Sequence, residues 1–174
     1  MTLQDAIALI NNNDITNKSA ARWADLGCGS GLFTYALANL LQKGSTVYAA
    51  DKSPVILQPQ RNPNKIHINS LLMDFTKEPF PFDRLDGILM ANSLHYVADK
   101  IDFIAGIEKQ LASHGVFVIV EYDTDKANKW VPYPASCKTL KTIFSRAGYN
   151  SFSKLHELPS IYNSSHIYAA LIKK

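Results

Sequence analysis

Short, continuously apolar stretches alternate along the chain with amphipathic ones, and this alternation predicts a sheet covered by helices. Residues 85–91 and 115–120 are apolar at nearly every position, which is typical of parallel strands buried on both faces. In residues 32–41 and 101–111 apolar side chains recur every three or four positions, which indicates helices with one buried face. Strands are expected at residues 21–26, 46–51, 65–72, 85–91, 115–120, 152–157 and 166–172.

Capping and helix-breaking residues indicate where the predicted helices begin and end. Thr2 is expected to cap the first helix, with Asp5 in the position of a capping box. Prolines in residues 54–63 leave room for only a short helix after the second strand. Gly44 is placed to end the helix before that strand. Helices are therefore expected at residues 2–10, 32–41, 101–111 and 136–147.

The last two predicted strands differ from the others in how they are connected. Only residues 159–165 separate them, which is too short for a helical crossover, so this pair is expected to be antiparallel. Elsewhere strands and helices alternate, as in parallel α/β sheets. The sequence therefore predicts a doubly wound, Rossmann-like α/β fold with a mostly parallel seven-stranded sheet, helices on both faces and an antiparallel last strand.

Composition narrows the class of protein. The 174 residues, 47% hydrophobic and 19% charged, predict a single globular domain over residues 1–174, of which 1–20 are an N-terminal helix and its connection. A net charge of +3 without a long basic run gives no reason to expect nucleic-acid binding. The sequence shows no signal peptide, membrane span or metal-spaced Cys/His group, so we expect a cytoplasmic protein without a metal or a membrane.

Glycines crowd the junction between the first strand and the helix after it. Asp25 ends the strand, and Gly27, Gly29 and Gly31 follow before the helix starts. Glycine permits positive φ and close backbone approach, and the first helical amides are unpaired, so this turn is suited to holding a nucleotide. In open α/β sheets ligands lie at the carboxyl ends of the strands. Polar residues also follow the later strands: Asp51, Asp74, Asn92 and Glu121.

The spacing after the glycines indicates which nucleotide is bound. Asp51 lies 20 residues beyond Gly31, where a strand-end acid can accept hydrogen bonds from ribose hydroxyls. Leu32 stands where the NAD-binding pattern G-x-G-x-x-G needs its third glycine. The motif therefore favours a nucleoside cofactor other than NAD.

These residues resemble the class I S-adenosylmethionine-dependent methyltransferases, and within them the small-molecule, type 11/12-like group. The resemblance covers roughly residues 20–172 and rests on 25–31, Asp51 and Asp74-Phe75. It implies S-adenosylmethionine as the cofactor, with carboxylates accepting hydrogen bonds from its ammonium, diol and amine. The implied cofactor-binding residues are Gly27, Cys28, Gly29 and Gly31 at the methionine moiety with Asp25 near its amino group, Asp51 at the ribose, Lys52 and Ser53 beside the adenosine, Asp74 and Phe75 at the adenine, and Asn92 at the methionine end.

Methyl transfer of this kind is an in-line displacement, so the protein mainly aligns the acceptor and excludes water. A general base is needed only if the acceptor loses a proton. The candidate catalytic residues are His95, Glu121 and Tyr96, with Tyr133 as a further possible base. Histidine suits the task best, and the alternative role for His95 is a structural hydrogen bond to a loop. Glu121 either faces the acceptor or caps the loop that follows it.

The acceptor itself is indicated mainly by missing motifs. Residues 92–95 lack the Asn/Asp-Pro-Pro-Tyr/Phe pattern of methyltransferases acting on adenine or glutamine amino groups, and neither Cys28 nor Cys137 is placed as a pyrimidine nucleophile. We therefore expect a small-molecule acceptor that is methylated on O, N or S, beneath a lid formed by residues 2–10 and 123–134. The alternative is a non-catalytic S-adenosylmethionine-binding subunit of a larger assembly, and the oligomeric state stays open.

Overall fold

Seven strands and five helices make up the fold in a computed structural model, which describes residues 1–16, 19–159 and 166–174. The strands are β1 (Arg22–Leu26), β2 (Thr46–Asp51), β3 (His67–Leu72), β4 (Leu85–Ala91), β5 (Leu111–Tyr122), β6 (Ser151–Pro159) and β7 (His166–Lys173). The helices are α1 (Leu3–Ile10), α2 (Asn13–Thr16), α3 (Leu32–Leu40), α4 (Lys100–Ile107) and α5 (Cys137–Arg146).

The strands form one sheet in the order β3-β2-β1-β4-β5-β7-β6. Strand β7 pairs antiparallel with both β5 and β6, and the other pairs are parallel. This arrangement confirms the predicted fold class. The chain order reverses between β1 and β4, and such a switch point opens a crevice at the carboxyl ends of the two strands.

Alternating side chains of the central strands pack into separate helix layers. Along β5, Phe117 and Ile119 belong to the core under α4 and α5. Val118 and Val120 belong to the core under α1 and α3. A strand buried on both faces must be apolar at every position, which explains the continuous runs in the sequence. The helices lie on both faces of the sheet, as predicted.

Helix α1 begins with the predicted capping box. The amide of Asp5 donates to Thr2 Oγ1 at 3.2 Å, and the amide of Thr2 donates to Asp5 Oδ2 at 2.8 Å. The buried side chains of Ala6, Leu9 and Ile10 join the core shared with α3. This helix is therefore part of the packed layer, and its role in a lid stays a prediction.

Two predictions about local structure are wrong. Residues 52–66 form no helix after β2, because three prolines remove amide donors and side chains hold the backbone instead, as when Asn62 Nδ2 donates to Ile66 O at 2.9 Å. Gly44 does not cap α3. The helix ends at Leu40, Leu41 turns to extended backbone with its side chain buried, and Gly44 (φ 92°) lies in the turn before β2.

Strand β5 begins earlier than the sequence predicts, at Leu111 instead of residue 115. The helix predicted to reach residue 111 ends at Ile107, and one 3₁₀ turn at Glu108–Gln110 leads directly into β5. Residues 160–165 of the predicted final turn lie outside the described residues, and the described chain resumes with β7. In the described ranges, none of the helices has the length and apolar character needed to cross a membrane.

Candidate functional site

The turn after β1 needs glycine for two separate reasons. Gly27, Gly29 and Gly31 all have left-handed backbone, with φ of 81°, 52° and 90°. A Cβ on Gly27 would also lie 2.5 Å from the Cβ of Ser93, which no folded chain tolerates without a shift. The amide of Gly27 donates to Ala50 O at 2.8 Å. The turn is therefore fixed between β1 and β2 by its own backbone.

Asp51, at the end of β2, joins this turn to the next loop. Its Oδ2 accepts from the amide of Gly29 at 3.0 Å, and its Oδ1 accepts from the amide of Ser53 at 2.9 Å. Each carboxylate oxygen has a second lone pair, so Asp51 can still accept hydrogen bonds from a ligand.

A cavity of about 230 Å³ opens beside the turn, at the carboxyl ends of the strands. We call it the glycine-side cavity. Asp51 and Asp74 give its wall two carboxylates, and Lys52 and Lys77 give it two ammonium groups. Its lining residues are Gly27, Asp51, Lys52, Asp74, Phe75, Thr76, Lys77, Asn92, Ser93 and Tyr96.

Asp74 is held in its charged form. The hydroxyl of Thr76 donates to Asp74 Oδ1, and Lys77 Nζ lies 3.0 Å from Asp74 Oδ2. These hydrogen bonds lower the pKa of Asp74 to about 2. The neighbouring Phe75 ring packs edge-on against Phe103, with the centroids 6.0 Å apart. A charged acceptor and an aromatic anchor thus meet at this wall, after β3.

Asp25 is fully buried near the end of β1 and does not line the glycine-side cavity. Its Oδ2 accepts from the hydroxyl of Thr34 at 2.6 Å, whereas its Oδ1 has no hydrogen-bond partner in the described structure. Burial raises the pKa of Asp25 to about 7, against the Thr34 hydrogen bond and together with the charge of Asp51. Burial also raises the pKa of Cys28 to about 12, so this thiol stays protonated at neutral pH.

A second, larger cavity of about 600 Å³ adjoins the first. It shares Asn92 and Tyr96 with the glycine-side cavity, and three large aromatic rings line it. We call it the aromatic cavity. Its lining residues are Asn92, His95, Tyr96, Tyr122, Asn128, Lys129, Trp130 and Val131.

Asn92 stands on the wall common to both cavities, directly after β4. Its backbone is left-handed (φ 53°), which is uncommon outside glycine. Its amide donates to Val120 O at 2.8 Å, but its side-chain Oδ1 is buried without a hydrogen-bond partner in the described structure. Backbone strain and an unpaired buried oxygen at one residue point to a ligand contact.

His95 and Glu121 form a buried pair behind the aromatic cavity. Glu121 Oε1 accepts from the amide of His95 at 3.0 Å, and Oε2 lies 2.7 Å from His95 Nδ1. Because Glu121 engages Nδ1, Nε2 is the ring nitrogen left for a molecule in the cavity. The Tyr96 ring lies 4.5 Å from the His95 ring, and Lys52 Nζ lies 5.3 Å from the Tyr96 centroid.

A buried lysine ties the loop after β5 to the segment after β4. Lys100 Nζ donates to Val97 O at 2.8 Å and to Tyr133 O at 2.6 Å. The amide of Tyr133 in turn donates to His95 O at 3.0 Å. Burial lowers the pKa of Lys100, against the charge of Glu121. These bonds hold the loop 123–134 in place as one wall of the aromatic cavity.

Most of the residues singled out in the sequence meet at these cavities. Eight of them line a wall, namely Gly27, Asp51, Lys52, Asp74, Phe75, Asn92, Tyr96 and His95. The others stand beside or behind the wall: Asp25, Cys28, Gly29, Gly31, Ser53, Glu121 and Tyr133.

Sequence reasoning missed several wall residues. Ser93 carried a usable signal, because a small residue beside Asn92 lets the chain approach Gly27. The lysines and the Tyr122 ring carried none, since nothing in their local pattern separates them from surface residues. The missed wall residues are Thr76, Lys77, Ser93 and Tyr122, whereas Asn128, Lys129 and Val131 belong to the loop 123–134 that the sequence assigned to the lid; Lys100, missed as well, lies outside both walls. In the described ranges, no three His, Cys, Asp or Glu side chains are grouped to hold a metal ion.

Comparison with known proteins identifies relatives by sequence profile and by fold. Residues 24–119 match the family described as Methyltransferase domain. A search of curated protein sequences finds no match.

The fold is similar to that of many solved structures. A Burkholderia thailandensis 1,6-didemethyltoxoflavin-N1-methyltransferase, with 1,6-didemethyltoxoflavin and S-adenosylhomocysteine bound, superposes with a TM-score of 0.73 at 18% identity, over 99% of this chain and 77% of that one. A Leishmania major SAM-dependent methyltransferase gives 0.70 at 19% identity, over 97% and 72% of the two chains. An Aquifex aeolicus SAM-dependent methyltransferase gives 0.62 at 14% identity over 100% of both.

Proposed function

Because the chain belongs to the Methyltransferase domain family, we propose that it transfers the methyl group of S-adenosylmethionine to a small-molecule acceptor. One observation carries the proposal: the glycine-side cavity and the aromatic cavity meet at Asn92 and Tyr96. A cofactor in the first cavity and an acceptor in the second would thus react across a shared wall. The Burkholderia neighbour, which holds a small molecule together with S-adenosylhomocysteine, supports an acceptor of this size.

The residues of the glycine-side cavity fit S-adenosylmethionine. When bound, this cofactor supplies a methyl group on a positively charged sulfur, which activates the methyl carbon for attack. Its ammonium, ribose diol and adenine amine are all donors, and the cavity offers the carboxylates of Asp51 and Asp74 as acceptors. The unpaired side-chain oxygen of Asn92, in the wall of the same cavity, supplies a further acceptor.

His95 is the proposed general base of the reaction. Glu121, when ionised, can only accept hydrogen bonds, so it fixes the proton on His95 Nδ1 and leaves Nε2 as an acceptor. With S-adenosylmethionine bound, the acceptor's oxygen or nitrogen would take the methyl group, and S-adenosylhomocysteine would be the leaving group. The acceptor's proton passes to His95 Nε2, and the buried carboxylate of Glu121 balances the resulting charge. Glu121 is accordingly a positioning residue.

Asn92 and Tyr96 align the two reactants. Both border both cavities, so they contact cofactor and acceptor at the point of transfer. Holding the acceptor in line with the methyl group supplies much of the rate enhancement in such displacements. The loop 123–134, fixed by Lys100, excludes water from the acceptor side.

Calorimetry with S-adenosylmethionine and S-adenosylhomocysteine tests the cofactor assignment, and absence of binding to both overturns the proposal. Transfer of a labelled methyl group to a panel of hydroxylated and amino-bearing metabolites, with the purified chain alone, tests catalysis. Binding without transfer to any member of the panel would favour a non-catalytic subunit of a larger assembly.

A further inference from the structure

We infer that the aromatic cavity takes a planar aromatic acceptor carrying an acidic group, with its ring against Trp130 and its anion at Lys129. This inference rests on the proposed function, because it names the class of acceptor. It is carried by three features of the cavity: rings, charge and the position of His95.

Aromatic rings reach the cavity from three separate parts of the chain. Tyr96 follows β4, Tyr122 ends β5, and Trp130 lies in the loop after β5. Flat faces of this kind stack favourably on a flat ligand, beyond the gain from burial alone. An aliphatic acceptor would gain none of this.

Trp130 is presented to the cavity by a fixed turn. Its side chain is 74% exposed, although an indole is among the most apolar surfaces a protein can show. The side chain of Asn128 accepts from the amide of Trp130 at 2.8 Å and from the amide of Val131 at 3.0 Å. The backbone is therefore organised before any ligand arrives, which lowers the entropic cost of binding.

The charge of the cavity is positive on the same side. Lys129 Nζ lies 5.6 Å from the centroid of the Trp130 ring, so a cation and an aromatic face are held together. The two acids of the loop are used elsewhere. Asp123 accepts from the amide of Cys137 and Asp125 from the amide of Ser136, both at 2.8 Å, at the start of α5.

Among the described residues that line the cavity, Lys129 carries the only permanent charge. A carboxylate on the ligand would therefore meet Lys129 with no acid among the described wall residues, since the Glu121 carboxylate lies behind His95 and is hydrogen-bonded to it. His95 lines the same cavity, and its Nε2, left open by the contact of Nδ1 with Glu121, would meet the hydroxyl or ring N–H that accepts the methyl group. A volume of about 600 Å³ accommodates a ligand with these two groups on one ring system.

Three matched ligands test this inference on the full chain saturated with S-adenosylhomocysteine. They are 4-hydroxybenzoate, its neutral methyl ester, and 4-hydroxycyclohexanecarboxylate, which keeps the acid but lacks the aromatic ring. By calorimetry we expect 4-hydroxybenzoate to bind roughly tenfold more tightly than either of the others. The Lys129→Met variant should abolish the preference for the acid over its ester. The Trp130→Leu variant should abolish the preference for the aromatic acid over the saturated one.

Lys126→Met is the matched control, since Lys126 is in the same loop but does not line the cavity. It should leave all three dissociation constants unchanged. Equal binding of the three ligands, no binding of any, or an unchanged order in both test variants overturns the inference while S-adenosylhomocysteine still binds. Failure to bind S-adenosylhomocysteine would instead overturn the proposed function. Thermal melts of the variants verify that each is folded.

Discussion

The two cavities are built by different means. The glycine-side cavity is shaped mainly by backbone: left-handed glycines, amides bound to Ala50 O and an Asp51 carboxylate that accepts from two amides. The aromatic cavity is shaped by side chains that arrive from the segments after β4 and β5. A site made by backbone needs particular residue types at fixed spacing, whereas a site made by side chains can be filled in many ways. Under the proposed function, the first cavity would therefore be constrained by the cofactor, and the second could vary with the acceptor.

The two cavities also differ in charge. Two carboxylates, at Asp51 and Asp74, and two ammonium groups, at Lys52 and Lys77, line the first cavity, so the charges in its wall balance. Among the described residues, Lys129 is the charged side chain that lines the second cavity, where His95 can accept a hydrogen bond. An anionic acceptor would therefore meet an unbalanced positive charge in the second cavity and not in the first.

Replacing His95 should give the largest effect and separate the two cavities cleanly. His95→Gln removes the nitrogen that accepts the proton, so the methyl-transfer rate constant should fall roughly 10²–10⁴-fold. The affinity for S-adenosylhomocysteine should not change, because the glycine-side cavity is intact. His114→Gln, at an exposed position paired with Asp86, is the control. An unchanged rate with full occupancy of acceptor would disprove the role of His95 as base.

The backbone origin of the glycine-side cavity can be tested at Gly27. Gly27→Ala places a Cβ 2.5 Å from the Cβ of Ser93 in addition to the cost of positive φ, so unfolding free energy should fall by about 2–4 kcal/mol. Gly29→Ala meets only open space and should lose about 1 kcal/mol. Urea denaturation measures both. Equal losses in the two variants would show that close packing on Ser93 is unimportant.

Asp51 tests the acceptor role of the carboxylates. Asp51→Ala removes a charged acceptor and frees the amides of Gly29 and Ser53, so S-adenosylhomocysteine affinity should fall about 10–100-fold. Asp83→Ala, at an exposed acid paired with Arg22, should leave affinity unchanged. Isothermal calorimetry provides the comparison, and wild-type affinity in Asp51→Ala would exclude the ribose assignment.

Asp25 should give the smallest effect, visible in the pH dependence of stability. Its pKa rises from 3.8 to about 7 on folding, so between these values the folded state binds more protons than the unfolded state. Stability contributed by this group is therefore complete below pH 4 and lost as pH rises through 7. Asp25→Asn removes this loss, so the difference in unfolding free energy, variant minus wild type, should increase by about 1–3 kcal/mol from pH 4 to pH 8. Parallel pH profiles would contradict the raised pKa.

Local sequence determined the strands, most helices and the glycine-side cavity. Continuous apolar runs located the central strands, because burial on both faces leaves no polar position. The glycines and Asp51 could be predicted from the sequence, because left-handed backbone and a strand-end acid are requirements of individual positions. The same local reasoning failed at Gly44 and at residues 52–66, where burial of Leu41 and side-chain hydrogen bonds, as at Asn62, decided the backbone.

Only the tertiary structure decided which residues come together around the aromatic cavity. His95 was a candidate base in the sequence, but its pairing with Glu121 joins residues 26 positions apart. The bond from Lys100 to Tyr133 spans 33 positions and fixes the loop that carries Trp130. No local pattern encodes such contacts, because the strand order β1-β4-β5-β7 sets which segments become neighbours. Short stretches of sequence thus determine the glycine-side cavity, whereas the aromatic cavity forms only once the sheet is assembled.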